Sequence, residues 1–197
     1  MIGRQIVGCV LAGGQSRRMG RDKALIEIGG VPLIKHAAAM LSAVFPDVVV
    51  ASDRREEYSF LDLPIIPDIR KNCGPLGGIH AALTQTKADS LFVLACDMPF
   101  VSPELVRHVV ANASRAAVAV PVMDGRAQPL CGLYARAVLP AIELALDHGM
   151  YKLLHLLEEV KATLIPITPE LSFSAPHILD NLNSVADLER ALFIANQ

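Results

Sequence analysis

Two stretches of the chain carry residue types that could do chemistry together. LAGGQSRRMGRDK at residues 11–23 puts two glycines and then four cations directly after an apolar run, and SLFVLACD at residues 90–97 ends a second apolar run on Asp97. Gly13 and Gly14 let the backbone turn sharply with successive N–H groups exposed, and such amides form a concavity that binds anions. Arg17, Arg18, Arg21 and Lys23 bring formal charge that Asp22 alone matches poorly. A polyphosphate would use the amides for close approach, the arginines as two-pronged donors and the lysine as a point charge. A solvated turn with scattered basic residues is the plainer alternative. The spacing is neither GxGxxG nor GxxxxGK[ST], which excludes a dinucleotide fingerprint and a P-loop.

Asp97 has the chemistry of a Mg²⁺ ligand, because that hard ion binds through few carboxylates plus substrate phosphates. Capping the turn into Met98 and Pro99 is its other use. Asp68 ends a shorter apolar run in the same way. NCGPLGGI (72–79) is a second glycine-rich segment that either approaches a ligand or simply turns. DNLNS (180–184) places Asn181 and Asn183 where a strand gives way to a helix, and helix capping alone accounts for them. The six histidines show no HxxxH or HExxH spacing, and no GxSxG elbow is present, so zinc chemistry and a serine nucleophile lack support.

Elements to position these residues follow from apolar periodicity. Strands are expected at 4–11, 47–52, 63–68, 90–97, 116–122 and 162–167. Helices are expected at 31–44 and 76–86, from the Ser102 cap with Pro103 at its first position, over 136–149 with a kink or start at Pro140, and through Glu159. A last helix is expected after a Ser184 cap. Alternating β and α segments predict a mostly parallel sheet with helices on both faces, which binds ligands beyond the carboxyl ends of its strands.

Composition bounds the rest. The 197 residues are 52% hydrophobic and 19% charged, enough for a sizeable core, and the length suits one domain, 1–197. A net charge of −2 excludes a general nucleic-acid binder. No run approaches the roughly 20 apolar residues that span a bilayer, and the opening residues do not read as a secretory signal. Cys9, Cys73, Cys96 and Cys131 form no CxxC pair, which predicts reduced thiols in a cytoplasmic protein.

Taken together, these residues resemble the nucleotidyltransferases that share a Rossmann-like nucleoside-triphosphate-binding fold. LAGGQSRRMGRDKA looks like their signature LAGGxSxRMGxDK and matches it at every fixed position. Within that superfamily the chain most resembles the molybdenum cofactor guanylyltransferases of the MobA type, through GPLGGI, CDMPF, AQPLCGLY (127–134) and NLNS. The resemblance implies a three-layer αβα sandwich of the nucleoside-diphospho-sugar transferase kind, its N-terminal half binding the nucleotide and its C-terminal half the acceptor. It implies transfer of GMP from GTP to molybdopterin with release of pyrophosphate, Mg²⁺ as cofactor, and molybdoenzyme maturation proteins as partners. By that resemblance Leu11, Ala12 and Gly13 meet the guanine nucleotide, Gly14 and Ser16 shape the loop, and Arg18 and Lys23 meet the phosphates. Asp68 lies near the nucleoside, Asp97 binds Mg²⁺, and Asn181 and Asn183 fall beside the pterin or the reacting phosphates. Arg17 and Arg21 are left solvated. Some members carry an asparagine after the VVV of the second strand where this chain has Ala51, Ser52 and Asp53, so Asp53 is the candidate for that contact. The rivals are a related enzyme using CTP or a sugar-phosphate acceptor, and a non-catalytic nucleotide-binding module. Leu-Ala-Gly-Gly in place of Leu-Ala-Ala-Gly favours guanine.

Overall fold

Layering in this protein follows from which way each strand residue points. In β1 (Ile6–Leu11), Val7, Cys9 and Leu11 enter one apolar layer and Val10 enters the other, as the two-residue repeat of extended chain requires. A computed structural model describes residues 5–13, 22–182, 187 and 189–190. After β1 and a 3₁₀ turn (Lys23–Leu25) come β2 (Glu27–Ile28), β3 (Val31–Pro32), α1 (Leu33–Ser42), β4 (Val48–Ala51) and β5 (Ile65–Ile66). Then follow α2 (Gly74–Gln85), β6 (Ser90–Ala95), α3 (Pro103–Asn112), β7 (Val118–Met123), β8 (Arg126–Ala127) and β9 (Cys131–Ala135). The series ends with α4 (Leu139–Asp147), α5 (Leu153–Glu159) and β10 (Thr163–Pro166).

Seven strands lie in the order β10-β7-β9-β6-β1-β4-β5, and β8 pairs with β7. The pairings β6–β1, β1–β4, β4–β5 and β7–β10 are parallel. Leu91 and Val93 of β6 share the layer of Cys9 with α2, α4 and α5, while Phe92 and Leu94 share the layer of Val10 with α1 and α3. The result is the expected three-layer αβα sandwich. No described helix is long and apolar enough to cross a membrane.

Among the described residues, four strands lie outside the expected set: the two-residue β2, β3 and β8, and the longer β9. β9 runs antiparallel between β6 and β7, a place the periodicity did not mark as a strand. Its apolar run CGLYA is short, and strands come adjacent here through pairings that no local pattern records. Gly132 makes the close fit possible, since a Cβ there would lie 2.7 Å from the Ala119 carbonyl oxygen. Element ends shift elsewhere. α1 starts at Leu33 because Val31 and Pro32 pair with β2 across Gly29 and Gly30, both at positive φ. α2 starts at Gly74, so the glycines of NCGPLGGI belong to the first turns of the helix. In place of the expected strand over 63–68 only Ile65–Ile66 is extended. Of the expected closing helix, Asp187, Glu189 and Arg190 are helical, whereas its cap Ser184 lies outside the described residues.

Candidate active site

Three chain segments converge where the parallel strands end. The Ala12 N–H donates to the Ala51 carbonyl at 3.1 Å, and Ser52 Oγ donates to the Ala12 carbonyl at 2.9 Å, which ties the end of β1 to the end of β4. Ser52 is buried, and its Oγ also accepts the Arg54 N–H at 3.2 Å. Around this tie lies a cleft of about 560 Å³ lined by Leu11, Ala12, Gly13, Ala51, Ser52, Asp53, Arg54, Asp68 and the start of α2. Small residues open it. A Cβ on Gly78 would come within 3.1 Å of Leu11 Cδ2, so a larger residue would press the Leu11 side chain at the cleft wall. Asn72 and Gly74, both at positive φ, turn the chain from Asp68 into that helix.

Asp53 and Asp68 face the cleft in a coupled arrangement. Asp53 Oδ1 accepts the Asp68 N–H at 3.0 Å and pairs with the Lys71 ammonium. Burial, then the charge of Asp53, pushes the Asp68 carboxyl above the usual carboxylate range. Three side chains follow one another at the end of β4. Ala51 offers no polar group, the Ser52 hydroxyl is bonded to backbone, and Asp53 brings a carboxylate whose Oδ1 holds the Asp68 N–H and Lys71.

The second half of the site gathers at Asp97. The Cys96 N–H donates to the Leu11 carbonyl at 3.2 Å, so Asp97 emerges beside the wall of the cleft. Its Oδ2 takes Lys23 Nζ at 3.1 Å, its Oδ1 takes Asn181 Nδ2 at 3.2 Å, and its carbonyl takes the Leu182 N–H at 2.8 Å. Lys23 and Asp97 side chains are 22% and 18% exposed, which leaves an ion pair half-shielded yet reachable by a ligand. Residues 74 apart in sequence thus meet, as do residues 84 apart. Among the described residues no group of three or more His, Cys, Asp or Glu could hold a metal by itself.

Of the residues expected from sequence, Leu11, Ala12, Gly13, Asp53 and Asp68 line the cleft, and Lys23, Asp97 and Asn181 form the neighbouring cluster. Gly14, Ser16, Arg17, Arg18, Arg21 and Asn183 lie outside the described residues. Two groups were missed. Asp22 caps the 3₁₀ turn through the Ala24 N–H and binds Arg54 Nη1 and Tyr58 Oη, so it anchors Lys23 as well as diluting its charge. Gln128 donates to the Leu179 carbonyl and to Asn181 Oδ1. The i,i+4 spacing of Arg54 and Tyr58 and the lone amide of AQPLCGLY were the available signals.

The family described as "MobA-like NTP transferase domain" matches residues 8–162. The "Probable molybdenum cofactor guanylyltransferase" of Pelotomaculum thermopropionicum is 36% identical over 192 residues, covering 98% of this chain and 88% of that protein. The "Molybdenum cofactor guanylyltransferase" of Syntrophotalea carbinolica is 30% identical over 184 residues, covering 92% and 88%. Among solved structures, "Molybdopterin-guanine dinucleotide biosynthesis protein A" from Archaeoglobus fulgidus superposes with a TM-score of 0.83 at 31% identity, covering 96% of this chain and 98% of that one.

Proposed function

The chain belongs to the MobA-like NTP transferase family, and from that membership we propose that it transfers GMP from GTP to molybdopterin, forming the guanine dinucleotide cofactor and pyrophosphate. The observation that carries this reading is the Lys23–Asp97–Asn181 cluster standing beside the cleft at the ends of β1 and β4. A nucleoside in the cleft would lie against Leu11, Ala12 and Gly13, with Asp68 within reach of its base or sugar. Its triphosphate would then extend past Gly13 toward Lys23. The N-terminal half would thus serve the nucleotide and the C-terminal half the acceptor.

The reaction is an in-line attack by the acceptor phosphate oxygen on the α-phosphorus of GTP, with pyrophosphate leaving. No side chain has to remove a proton, because a phosphate monoester is largely ionised near neutral pH. The protein therefore acts by orientation and charge. Lys23 would turn its ammonium from Asp97 onto phosphate oxygens and offset the charge that builds on them; Arg18 of the glycine-rich loop would do the same. Asn181 would keep Asp97 fixed. Asp97 is the residue that would hold Mg²⁺, which supplies Lewis-acid neutralisation of the phosphates when bound. GTP consumption suits a cytoplasmic enzyme, with maturation proteins of molybdoenzymes receiving the product.

Incubating the protein with molybdopterin, Mg²⁺ and either GTP or CTP tests this directly. Pyrophosphate and guanine dinucleotide from GTP, with little product from CTP, are expected. Preferential use of CTP would overturn the choice of base, and no pyrophosphate with any nucleotide would overturn catalysis.

A further inference from the structure

An amide side chain can present either oxygen or nitrogen to a neighbour, and the surrounding hydrogen bonds decide which. At Gln128 the decision is forced. The residue follows β8, its N–H donates to the Pro121 carbonyl at 2.9 Å, and its own carbonyl accepts the Cys131 N–H at 3.1 Å, so its backbone is held on both sides. Its side-chain nitrogen lies 2.8 Å from the Leu179 carbonyl oxygen. A carbonyl only accepts, so that atom must be the NH₂ group. The second hydrogen of the same nitrogen points to Asn181 Oδ1 at 3.3 Å. Asn181 must then show oxygen to Gln128 and nitrogen to Asp97 Oδ1, at 3.2 Å. Donation therefore runs outward from the Gln128 NH₂ group, to the Leu179 carbonyl on one side and through Asn181 to the Asp97 carboxylate on the other.

Building on the nucleotidyl-transfer reading, we propose that Gln128 is a positioning residue for that reaction: it fixes the sense of the Asn181 carboxamide, which holds Asp97 Oδ1 and leaves Oδ2 turned to Lys23. Without the Gln128 donors the Asn181 carboxamide is no longer anchored on its oxygen side, so its NH₂ can leave Asp97 Oδ1, and a carboxylate at position 128 competes for that NH₂ outright. Asp97 then loses the bond that holds Oδ1 and is free to rotate away from the reacting phosphates. Gln128 itself touches no substrate in this scheme and acts only through Asn181.

The test is Gln128→Glu, which keeps the side-chain size and removes both donors, read in two independent ways. In the protein without nucleotide, the Asn181 side-chain NH₂ resonances in ¹⁵N–¹H spectra should shift, because their acceptor changes. With substrates, kcat should fall about 10- to 100-fold, the range for groups that orient a metal-binding carboxylate, while KM for GTP stays within about twofold of the original. In an Asn181→Ala background the same substitution should cost no more than about twofold further, since the relay is already cut. Gln128→Met, neutral and of similar length, replaces Gln128→Glu if the latter does not fold. Unmoved Asn181 resonances, or a full additional loss in the Asn181→Ala background, overturns the proposal. The spectra need no substrate, so failure of the GTP and molybdopterin reading leaves this arm decisive.

Discussion

Tyr58 donates its hydroxyl to Asp22 Oδ2 at 2.6 Å, joining the turn that carries Lys23 to the segment after β4, 36 residues away. Arg54 Nη1 reaches the same oxygen at 2.9 Å, and Asp22 Oδ1 holds the Ala24 N–H at 3.1 Å. Burial, then the bond to Asp22, raises the Tyr58 hydroxyl far above its ordinary pKa, so it remains a donor at any working pH. The residue before Lys23 is thereby fixed on three sides.

Tyr58→Phe removes one of those bonds without changing the packed ring. Unfolding in denaturant should show a loss of about 1.5–3 kcal/mol, the usual range for a hydrogen bond to a charged group. Turnover should fall less than in Lys23→Ala, which deletes the ammonium itself and should lower kcat strongly. Equal activity losses in the two variants would mean that Tyr58 does more than anchor the turn.

What the sequence made legible, and what it hid, divides along physical lines. The ends of β1 and β6 were readable because an apolar run stopping at Gly13 or Asp97 is a local pattern. The place of β9 was not, since antiparallel insertion between β6 and β7 depends on neighbours such as Ala119 that sit far along the chain. The Asp22–Tyr58 bond and the Gln128–Asn181 relay were hidden for the same reason. Each joins side chains that only folding brings within 3.5 Å. The cations of LAGGQSRRMGRDK were visible as a cluster, but only the fold shows that Asp22 binds Arg54 and Lys23 binds Asp97.

Asp68→Asn should make the protein more stable while weakening nucleotide binding. Because burial and Asp53 raise its carboxyl above the ordinary value, the folded state holds that proton more tightly than the unfolded chain. Stability is therefore greatest below the ordinary carboxylate value and declines as pH rises through the raised one. At pH 7 the neutral amide removes that cost, for a rise in Tm of about 1–2 °C. The gain should vanish near pH 3. A variant less stable at pH 7 than at pH 3, relative to the parent, would contradict the assigned cause.

Gly132→Ala should fail as a fold variant. Its Cβ would meet the Ala119 carbonyl oxygen and Val120 Cγ1 at 2.7 Å, and backbone cannot yield as a flexible side chain can. A loss of about 1–3 kcal/mol or more is expected in equilibrium unfolding. Wild-type stability would mean that β9 and β7 can separate at little cost.

Thiol chemistry offers a check on the core. Burial pushes the Cys9 and Cys131 thiols up to about 12, and burial with the charge of Asp97 raises Cys96 as well. The native protein should leave these three unlabelled by iodoacetamide at pH 8, and labelling should become complete only in denaturant.

Asp97→Asn is the most direct measurement, since this carboxylate meets Lys23 and Asn181 together, next to the Cys96 N–H that binds the end of β1. Product formation from GTP and molybdopterin should drop about 100- to 1,000-fold or more, as for loss of a group aimed at transition-state charge. GTP should still bind, because Leu11, Ala12, Gly13 and Asp68 are untouched. Nearly full Mg²⁺-dependent turnover in Asp97→Asn would contradict the assignment of this site as the centre of GMP transfer.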